Sequence, residues 1–428
     1  MHLKVINNCV QDCNFQTHII SVPSITQKHF AFEIIRDGNR IGDLGVIIEN
    51  HSCQIIKYSC VKNIDFKKCF CEVVKEISYE FPEITVIFVC RDNIYDSQLL
   101  ECDELFSLEY ESGKFIYNIK RIAVTAIKPS DGGLHLGHYF GNIKPLIDRQ
   151  NLYDCVFVFA DLQLLNTNKK YYNESNRIDN VSLMLRQLIA LGVNPSRTKI
   201  LLESQLKSHA LSEFIKMSDF ATDARIYRNP YIKAEKAKAV DNSKPIKMSV
   251  MNYPIMEALD FYLTNADVMF SNMDNKACVE FTNELYQKMY SAGLMPRKKI
   301  KLIHGFYDYL PGIDGNKMSK VNNNAIYFAD SSNEIRKKVN KMYTDPNRIS
   351  ADTPGSIEKN VVFKFLRLFL PTESFSQIKK NYEDGKIKDI ETKELLSELI
   401  TDFISHTQKM SSEIDEKLIY TIIGDVKK

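Results

Sequence analysis

The hydrophobic and polar positions follow different patterns in three parts of the chain. Up to about residue 120, strand-like apolar runs flank one helical stretch near Lys67–Ser78. The strand-like runs are Phe30–Ile35, Asp43–Ile48 and Ile84–Cys90. Strands and a helix in this order predict an α+β domain over residues 1–120.

From Ile122 onward, short apolar runs alternate with polar sequence that can form helices. The runs are Ile122–Ile127, Cys155–Ala160 and Thr198–Leu202. This alternation of strands and helices is typical of a doubly wound parallel sheet, and it predicts a Rossmann-like α/β domain over residues 121–328. Ligands of such sheets bind beyond the carboxyl ends of the strands, so motifs that directly follow the runs are candidates for chemistry.

Residues 329–428 predict a helical domain. Apolar residues near its end repeat with the spacing of one helix face, which predicts that this face is buried. They are Leu395, Leu396, Leu399, Ile400, Phe403 and Ile404.

Composition and charge narrow the class of protein. A chain of 428 residues with 44% hydrophobic residues is typical of a globular protein with two or three domains. No apolar run reaches the ~18 residues of a membrane span, and the N-terminus lacks the apolar core of a secretion signal. We therefore expect a cytoplasmic protein without a membrane partner. The net charge is only +2, so the chain as a whole is not a polycation. We therefore expect its local basic clusters to be solvated surface, unless other observations indicate that they bind nucleic acid.

The cysteines are unevenly distributed, since eight of the ten lie between Cys9 and Cys102. Their spacings do not form paired C-x-x-C ligand sets, so the sequence predicts no metal site. In a cytosolic chain we expect them to be small buried hydrophobic residues.

The order of elements in residues 1–120, together with Asn93 and the closing Leu105–Ile119 segment, faintly resembles a GNAT-type acetyltransferase. Members of that family hold the pyrophosphate of coenzyme A in a glycine-rich loop. The corresponding segment Lys67–Glu72 reads KKCFCE and contains no glycine. We therefore expect a structural or docking module rather than an active acetyltransferase.

The first chemical motif, KPSDGGLHLGHYFGN, directly follows the Ile122–Ile127 run. A helix predicted to begin near Leu136 would point its free N–H groups at an anion. His135 and His138 are three residues apart and can face the same phosphate. Such an arrangement suits nucleotidyl transfer, although the motif alone also fits the small adenylyltransferases of cofactor synthesis. Three glycines in the motif permit tight turns and close approach of a ligand: Gly132, Gly133 and Gly137.

The second motif is GIDGNKMSK at Gly312–Lys320. Lys317 and Lys320 flank a glycine-rich approach and could close over a triphosphate, where they would neutralise the leaving pyrophosphate. Alone, two lysines in a loop usually indicate solvated surface. Together with the first motif in an α/β chain, they predict an ATP site.

The two motifs resemble the HIGH and KMSKS signatures of class I aminoacyl-tRNA synthetases, and further stretches are most similar to the bacterial-type tryptophanyl enzymes. These stretches are LHLGHYFGNIK, ALGVNPSRTKILLESQLKSHA, MNYPIMEALDFYLTNADV, PGIDGNKMSK and EIRKKVNKMYTDPNRI. The tail NYEDGKIKDIETKELLSELITDFI resembles the helical anticodon-binding domain of that family. The resemblance covers roughly residues 121–428.

This resemblance implies that the chain ligates tryptophan to tRNA(Trp), with ATP and a Mg²⁺ ion bound through the ATP phosphates, and that it forms a homodimer. Tryptophanyl-adenylate would be the intermediate. The implied catalytic residues are His135 and His138 at the α-phosphate, with Lys317 and Lys320 at the β,γ-phosphates. The implied ATP-binding residues are Gly137, Lys233, Met318 and Ser319.

The resemblance also implies an amino-acid pocket formed by Tyr253, Glu257, Asp260, Asp274 and Asn275. Asp260 matches the aspartate that accepts the indole N–H, although tyrosyl relatives use the same position for the phenol hydroxyl. Tyr253 and Glu257 precede Asp260 at helical spacing, which places all three on one face.

The sequence departs from the family within this pocket. Glu257 stands where methionine is usual, and a carboxylate there needs a partner or a proton. Lys128 and Asn275 replace glutamines, and Gln163 replaces a frequent histidine. Both predicted phosphate-binding motifs are retained. These departures leave open a paralog with altered specificity, either tyrosyl-type or carrier-loading, and a non-catalytic RNA-binding regulator.

Overall fold

The computed structural model describes residues 2–9, 28–36, 39–49, 52–60, 73–74, 77–79, 81–90, 106–111, 114–119, 121–166, 169–206, 210–241, 243–318, 322–348, 350 and 353–424. Lys67–Glu72, Asn93 and Leu105 lie outside these ranges, and so do Ser319 and Lys320 of the second motif. None of the helices in the described ranges is long and apolar enough to cross a lipid bilayer.

The first part of the chain forms a sheet whose described strands are ordered β1-β2-β3-β4-β5-β7-β6. Neighbouring strands are antiparallel except β4 and β5, which run parallel. All three predicted strand runs belong to this sheet, although β5 begins two residues later than predicted. The strands are β1 His2–Cys9, β2 Lys28–Arg36, β3 Asn39–Glu49, β4 Ser52–Cys60, β5 Val86–Cys90, β6 Phe106–Glu111 and β7 Lys114–Ile119.

The second part contains a parallel sheet of order β10-β9-β8-β11-β12 in the described residues. Helices connect its strands, which confirms the predicted Rossmann-like, doubly wound α/β class. β8 has the bounds predicted from its apolar run. The strands are β8 Ile122–Ile127, β9 Asp154–Phe159, β10 Thr198–Leu202, β11 Val268–Phe270 and β12 Lys301–Ile303.

Most of the helices cover the two faces of the parallel sheet, and those after β12 form the C-terminal part. The helices that follow β8 to β10 are α1 Leu136–His138, α2 Lys144–Ile147, α3 Glu174–Ala190, α4 Ala210–Phe220, α5 Asp223–Tyr227, α6 Pro230–Asp241, α7 Met248–Met251 and α8 Tyr253–Thr264. The later helices are α9 Lys276–Ser291, α10 Ser332–Asn340, α11 Val361–Phe369, α12 Thr372–Glu383, α13 Asp389–Ser412 and α14 Glu416–Ile423.

The alternation of side chains along β9 divides the core into two clusters. Phe157 and Phe159 pack with α3 and the C-terminal helices, whereas Val156 and Val158 pack with α8 and α9 on the opposite face. The apolar face predicted for α13 joins the first cluster. Its fully buried members are Leu396, Ile400 and Ile404, while Leu395, Leu399 and Phe403 are partly buried against them.

A buried arginine joins the N-terminal sheet to the parallel sheet. The Nε of Arg121 donates to the carbonyl of Ile84 at 3.1 Å, and its guanidinium also donates to the hydroxyl of Ser78 at 2.8 Å. On the other side, Asp267 lies 4.0 Å from the guanidinium and accepts the N–H of Ile122 at 2.9 Å. One side chain therefore contacts residues that precede strands of both sheets.

Two further contacts support the same junction. The hydroxyl of Tyr153 donates to the carbonyl of Glu83 at 2.6 Å, and the guanidinium of Arg297 lies 3.6 Å from the centre of the Tyr79 ring. Tyr153 directly precedes β9, just as Arg121 precedes β8. The N-terminal sheet therefore packs at the amino edge of the parallel sheet, opposite the carboxyl ends where a ligand site is expected.

Candidate active site

The first motif forms a tight turn that leads into a helix. Gly132 and Gly133 have φ angles of +83° and +72°, a region that a side chain would strain. Helix α1 begins at Leu136, as predicted, and His135 is its N-cap. The turn thus directs the helix N-terminus to the carboxyl edge of the sheet.

The two histidines hold each other in place. The Nδ1 of His135 accepts the N–H of His138 at 3.2 Å, and the Nδ1 of His138 accepts the N–H of His135 at 3.4 Å. Their rings stack with centres 3.5 Å apart and planes 21° from parallel. Both imidazoles therefore lie together at the N-terminus of α1, an arrangement that could serve one bound anion.

The second motif contacts the first directly. The N–H of Gly137 donates to the Sδ of Met318 at 3.2 Å. A Cβ at position 137 would lie 3.0 Å from the His135 ring and 3.1 Å from that sulfur, so a larger residue would push the motifs apart. A glycine at position 137 is therefore required for the close approach of the two motifs.

Lys317 lies one residue from this contact and donates to the carboxylate of Asp274, which follows β11. Both side chains are exposed. Asp274, predicted as an amino-acid-binding residue, pairs with Lys317 instead. The predicted partners Ser319 and Lys320 lie outside the described residues.

A cavity of about 100 Å³ lies at the carboxyl ends of β8 and β9. It is smaller than the roughly 300–1,000 Å³ of ordinary ligand pockets. Four of the five predicted amino-acid-binding residues line it, and three of them, Tyr253, Glu257 and Asp260, lie along α8 as the spacing indicated. The polar side chains in its wall are Lys128, Gln163, Tyr253, Glu257, Asp260 and Asn275.

Asp260 is buried at this cavity and accepts a hydrogen bond from the Nε2 of Gln163 at 3.0 Å. Burial raises the pKa of Asp260 well above its usual range, and the nearby carboxylates of Glu203 and Glu257 raise it further. Gln163 therefore supplies a donor to a carboxyl group that is costly to ionise in this position.

Glu257 has the partners that a buried carboxyl group requires. Burial raises the pKa of Glu257, while the Tyr253 hydroxyl, the Cys278 thiol and the positive charge of Lys128 oppose the rise. These three residues line the same cavity as Glu257. The departure from methionine is therefore accommodated within the pocket.

Asn275 is anchored by its neighbours at the end of β11. Its Nδ2 donates to the hydroxyl of Ser271 at 2.5 Å, and Ser271 also accepts from the amide of Asn142 at 3.1 Å. The amide of Asn272 donates to Asn142 at 3.3 Å. This network connects the cavity wall to the π-helical turn Tyr139–Ile143 that follows the histidines.

Two acidic residues of the site were missed from the sequence. Asp161 and Glu203 directly follow the apolar runs of β9 and β10. Because ligands of parallel sheets bind beyond the carboxyl ends of the strands, this position was the signal that could have identified them. Asp161 accepts the N–H of Ser204 at 3.0 Å, and Glu203 accepts the N–H of Gln163 at 3.1 Å. Burial raises the pKa of Glu203 to about 7.

Lys233 is exposed on the first turn of α6. The same turn carries Tyr231, whose ring centre lies 4.5 Å from that of Tyr253 in the cavity wall. Helix α6 therefore borders the pocket, and the predicted ATP lysine projects from a helix next to it. Among the described residues, no group of three or more His, Cys, Asp or Glu side chains is placed to hold a metal ion.

With this geometry established, the chain was compared with known proteins. The model of the family described as tRNA synthetases class I (W and Y) matches residues 119–405. This chain belongs to that family. The match begins next to the Arg121 junction and includes both phosphate motifs, so the α/β part of the chain is a class I synthetase catalytic domain.

Curated relatives named tryptophan–tRNA ligase are similar over the same part. The one from Chlamydia caviae is 33% identical over 304 residues, which cover 69% of this chain and 87% of the relative. The one from Borreliella burgdorferi is 32% identical over 305 residues, covering 70% and 85%. The matched part of this chain therefore spans most of the length of these relatives.

Solved structures share the fold. The tryptophanyl-tRNA synthetase from Campylobacter jejuni, complexed with ADP and tryptophan, superimposes with a TM-score of 0.57 and 21% identity, covering 71% of this chain and 92% of that one. The enzyme from Aeropyrum pernix superimposes with a TM-score of 0.61 and 18% identity, covering 72% and 83%.

Proposed function

We propose that this chain ligates tryptophan to tRNA(Trp) through a tryptophanyl-adenylate intermediate. The observation that carries the proposal is the contact between the two motifs, in which the N–H of Gly137 donates to Met318. It brings the histidine pair and the lysine loop together at the carboxyl edge of a sheet whose amino-acid cavity contains Asp260. The names of the relatives support tryptophan as the amino acid.

In the first step the carboxylate of tryptophan attacks the α-phosphate of ATP, and pyrophosphate leaves. His135, His138 and the N–H groups at the start of α1 stabilise the negative charge that grows on the α-phosphate. Lys317, Lys320 and Lys233 neutralise the leaving pyrophosphate as point charges. A Mg²⁺ ion that enters with ATP would supply further positive charge at the phosphates. The donors of this site fit a triphosphate, because they are imidazoles, ammoniums and N–H groups.

Asp260 selects the indole by accepting its N–H. A site built to pair with such a donor rejects an analogue that lacks it by ~10⁴–10⁵, because the buried acceptor would be left unpaired. Gln163 orients the Asp260 carboxyl group through the 3.0 Å hydrogen bond. Tyr253 and Asn275 are suited to hold the α-amino group at the open end of the cavity.

In the second step the tryptophanyl group passes to the 3′ end of the tRNA, and the helices of residues 329–428 bind the anticodon part. The protein acts as a homodimer in the cytoplasm. Residues 1–120 act as a structural or docking module, and Arg121 bonds to this part of the chain through Ile84 and Ser78.

Charging of total tRNA with labelled amino acids tests this function. The expected product is tryptophanyl-tRNA, formed with tryptophan and not with tyrosine. Charging with tyrosine instead would support the tyrosyl-type alternative. Adenylate formation without any charged tRNA would support loading of a carrier, and salt-sensitive RNA binding without adenylate would support a regulator.

A further inference from the structure

The amino-acid cavity contains a cation that the proposed mechanism has not used. Lys128 follows β8, and its Nζ lies 4.1 Å from the centre of the Tyr253 ring and 5.7 Å from that of the Tyr231 ring. An ammonium at such a distance from an aromatic face is attracted by the ring. Two tyrosines therefore hold the charge of Lys128 at the cavity wall.

Acidic groups surround this cation. Burial lowers the pKa of Lys128, but the carboxylates of Glu257, Glu203 and Glu235 oppose the loss of its proton, and Glu257 has the largest effect of the three. Glu257 lines the same cavity as Lys128 and lies one helical turn after Tyr253 on α8. The ammonium therefore lies in a cavity wall that also carries a carboxylate.

The cavity wall is chemically complementary to a zwitterion. Its described acceptors include Glu257, Asp260 and Asn275, whereas Lys128 is the only cationic side chain among the residues that line it. A free amino acid brings one ammonium and one carboxylate into such a site. Acceptors for the ammonium and the indole N–H are available, and Lys128 is the cation available for the carboxylate.

We infer that Lys128 binds the α-carboxylate of the amino-acid substrate and that Glu257 is its positioning residue. This inference rests on the proposed function and deepens it, because it makes the charge at position 128 a determinant of substrate choice. The pocket then selects a zwitterionic amino acid over an amine with the same side chain. Before substrate enters, Glu257 and the tyrosines hold the ammonium in place.

Isothermal titration of tryptophan and tryptamine separates this role from general pocket packing, since tryptamine lacks only the carboxylate. We expect wild type to prefer tryptophan, and Lys128→Met to bind tryptophan about 10- to 100-fold more weakly while its affinity for tryptamine is unchanged. Lys128→Arg keeps the charge and should keep the preference. Lys236→Met is the matched control, since Lys236 lies 4.7 Å from the Tyr227 ring and does not line the cavity.

A double-mutant cycle tests the role of Glu257. Glu257→Gln should weaken tryptophan binding less than Lys128→Met does, and the double variant should bind no more weakly than Lys128→Met alone. Equal tryptophan affinity in wild type and Lys128→Met, or an equal loss for tryptamine, would overturn the inference while tRNA charging by wild type still supports the proposed function. If wild type neither binds tryptophan nor charges tRNA, both the inference about Lys128 and the proposed function fail.

Discussion

Lys317 of the lysine loop donates to Asp274, so the second phosphate motif is tied to the segment that leads from β11 into the amino-acid pocket. The two side chains are exposed, and pairs of this kind contribute about 0–1 kcal/mol. A triphosphate carries more charge than one carboxylate. The ammonium can therefore exchange Asp274 for ATP at little cost.

The two partners of this ion pair should respond differently to substitution. Lys317→Ala removes a charge that acts on the leaving pyrophosphate, so the rate of ATP–pyrophosphate exchange should fall by about 10²–10³. Asp274→Asn frees the lysine without removing it, and should change the KM for ATP by no more than about fivefold. Steady-state exchange kinetics measure both. A large rise in the KM for tryptophan in Asp274→Asn would instead indicate an amino-acid contact.

The histidine cap of α1 should contribute to both stability and catalysis. His135→Ala removes the acceptor for the N–H of His138 and a donor to the α-phosphate, so we expect a loss of about 1 kcal/mol in stability and a rate of exchange at least 10²-fold lower. Urea unfolding and exchange kinetics measure the two effects.

Ser331→Ala is the control for His135→Ala. Ser331 caps α10 in a capping box with Glu334, and its side chain has no part in the proposed phosphate chemistry. It should lose similar stability and retain exchange activity. If both variants lose activity in proportion to stability, His135 has only a structural role.

The sequence predicts the parts of the site that local pattern determines. The apolar run Ile122–Ile127 gives the bounds of β8, and the residues after it give the start of α1 at Leu136. The contact between Gly137 and Met318 joins residues remote in sequence, so no local periodicity encodes it. Lys128 was recognised from the sequence only as a departure from the family, because its partners Tyr231 and Glu257 reach it through tertiary packing.

The pKa of Glu203 predicts a pH dependence of stability. Its pKa is raised to about 7 in the folded protein, so between pH 4.5 and 7 the folded state holds a proton that the unfolded state has lost. Stability should therefore fall as the pH rises through this range, by an amount on the order of 3 kcal/mol at most.

Glu203→Gln keeps the acceptor for the N–H of Gln163 and removes the titration. Urea unfolding midpoints measured from pH 5 to 8 should fall less steeply in Glu203→Gln than in wild type. Parallel pH profiles in the two proteins would contradict the assignment of this dependence to Glu203.

The junction at Arg121 should affect stability without affecting catalysis. Arg121→Ala removes the donors to Ile84 and Ser78 and should lower the stability by about 2 kcal/mol. Exchange activity should persist, because the junction lies at the opposite edge of the sheet from the phosphate motifs. Thermal unfolding and exchange kinetics measure the two effects, and the exposed Arg197→Ala is the matched control. Loss of activity in folded Arg121→Ala would mean that the junction acts on the site.

The central claim is that the two motifs act on one ATP molecule to activate tryptophan. ATP–pyrophosphate exchange, measured with each of the twenty amino acids, tests it most directly. We predict exchange that depends on tryptophan in wild type and in Lys236→Met, and that is largely lost in both Lys317→Ala and His138→Ala. Absence of exchange with every amino acid, or exchange that persists in both Lys317→Ala and His138→Ala, would contradict this account.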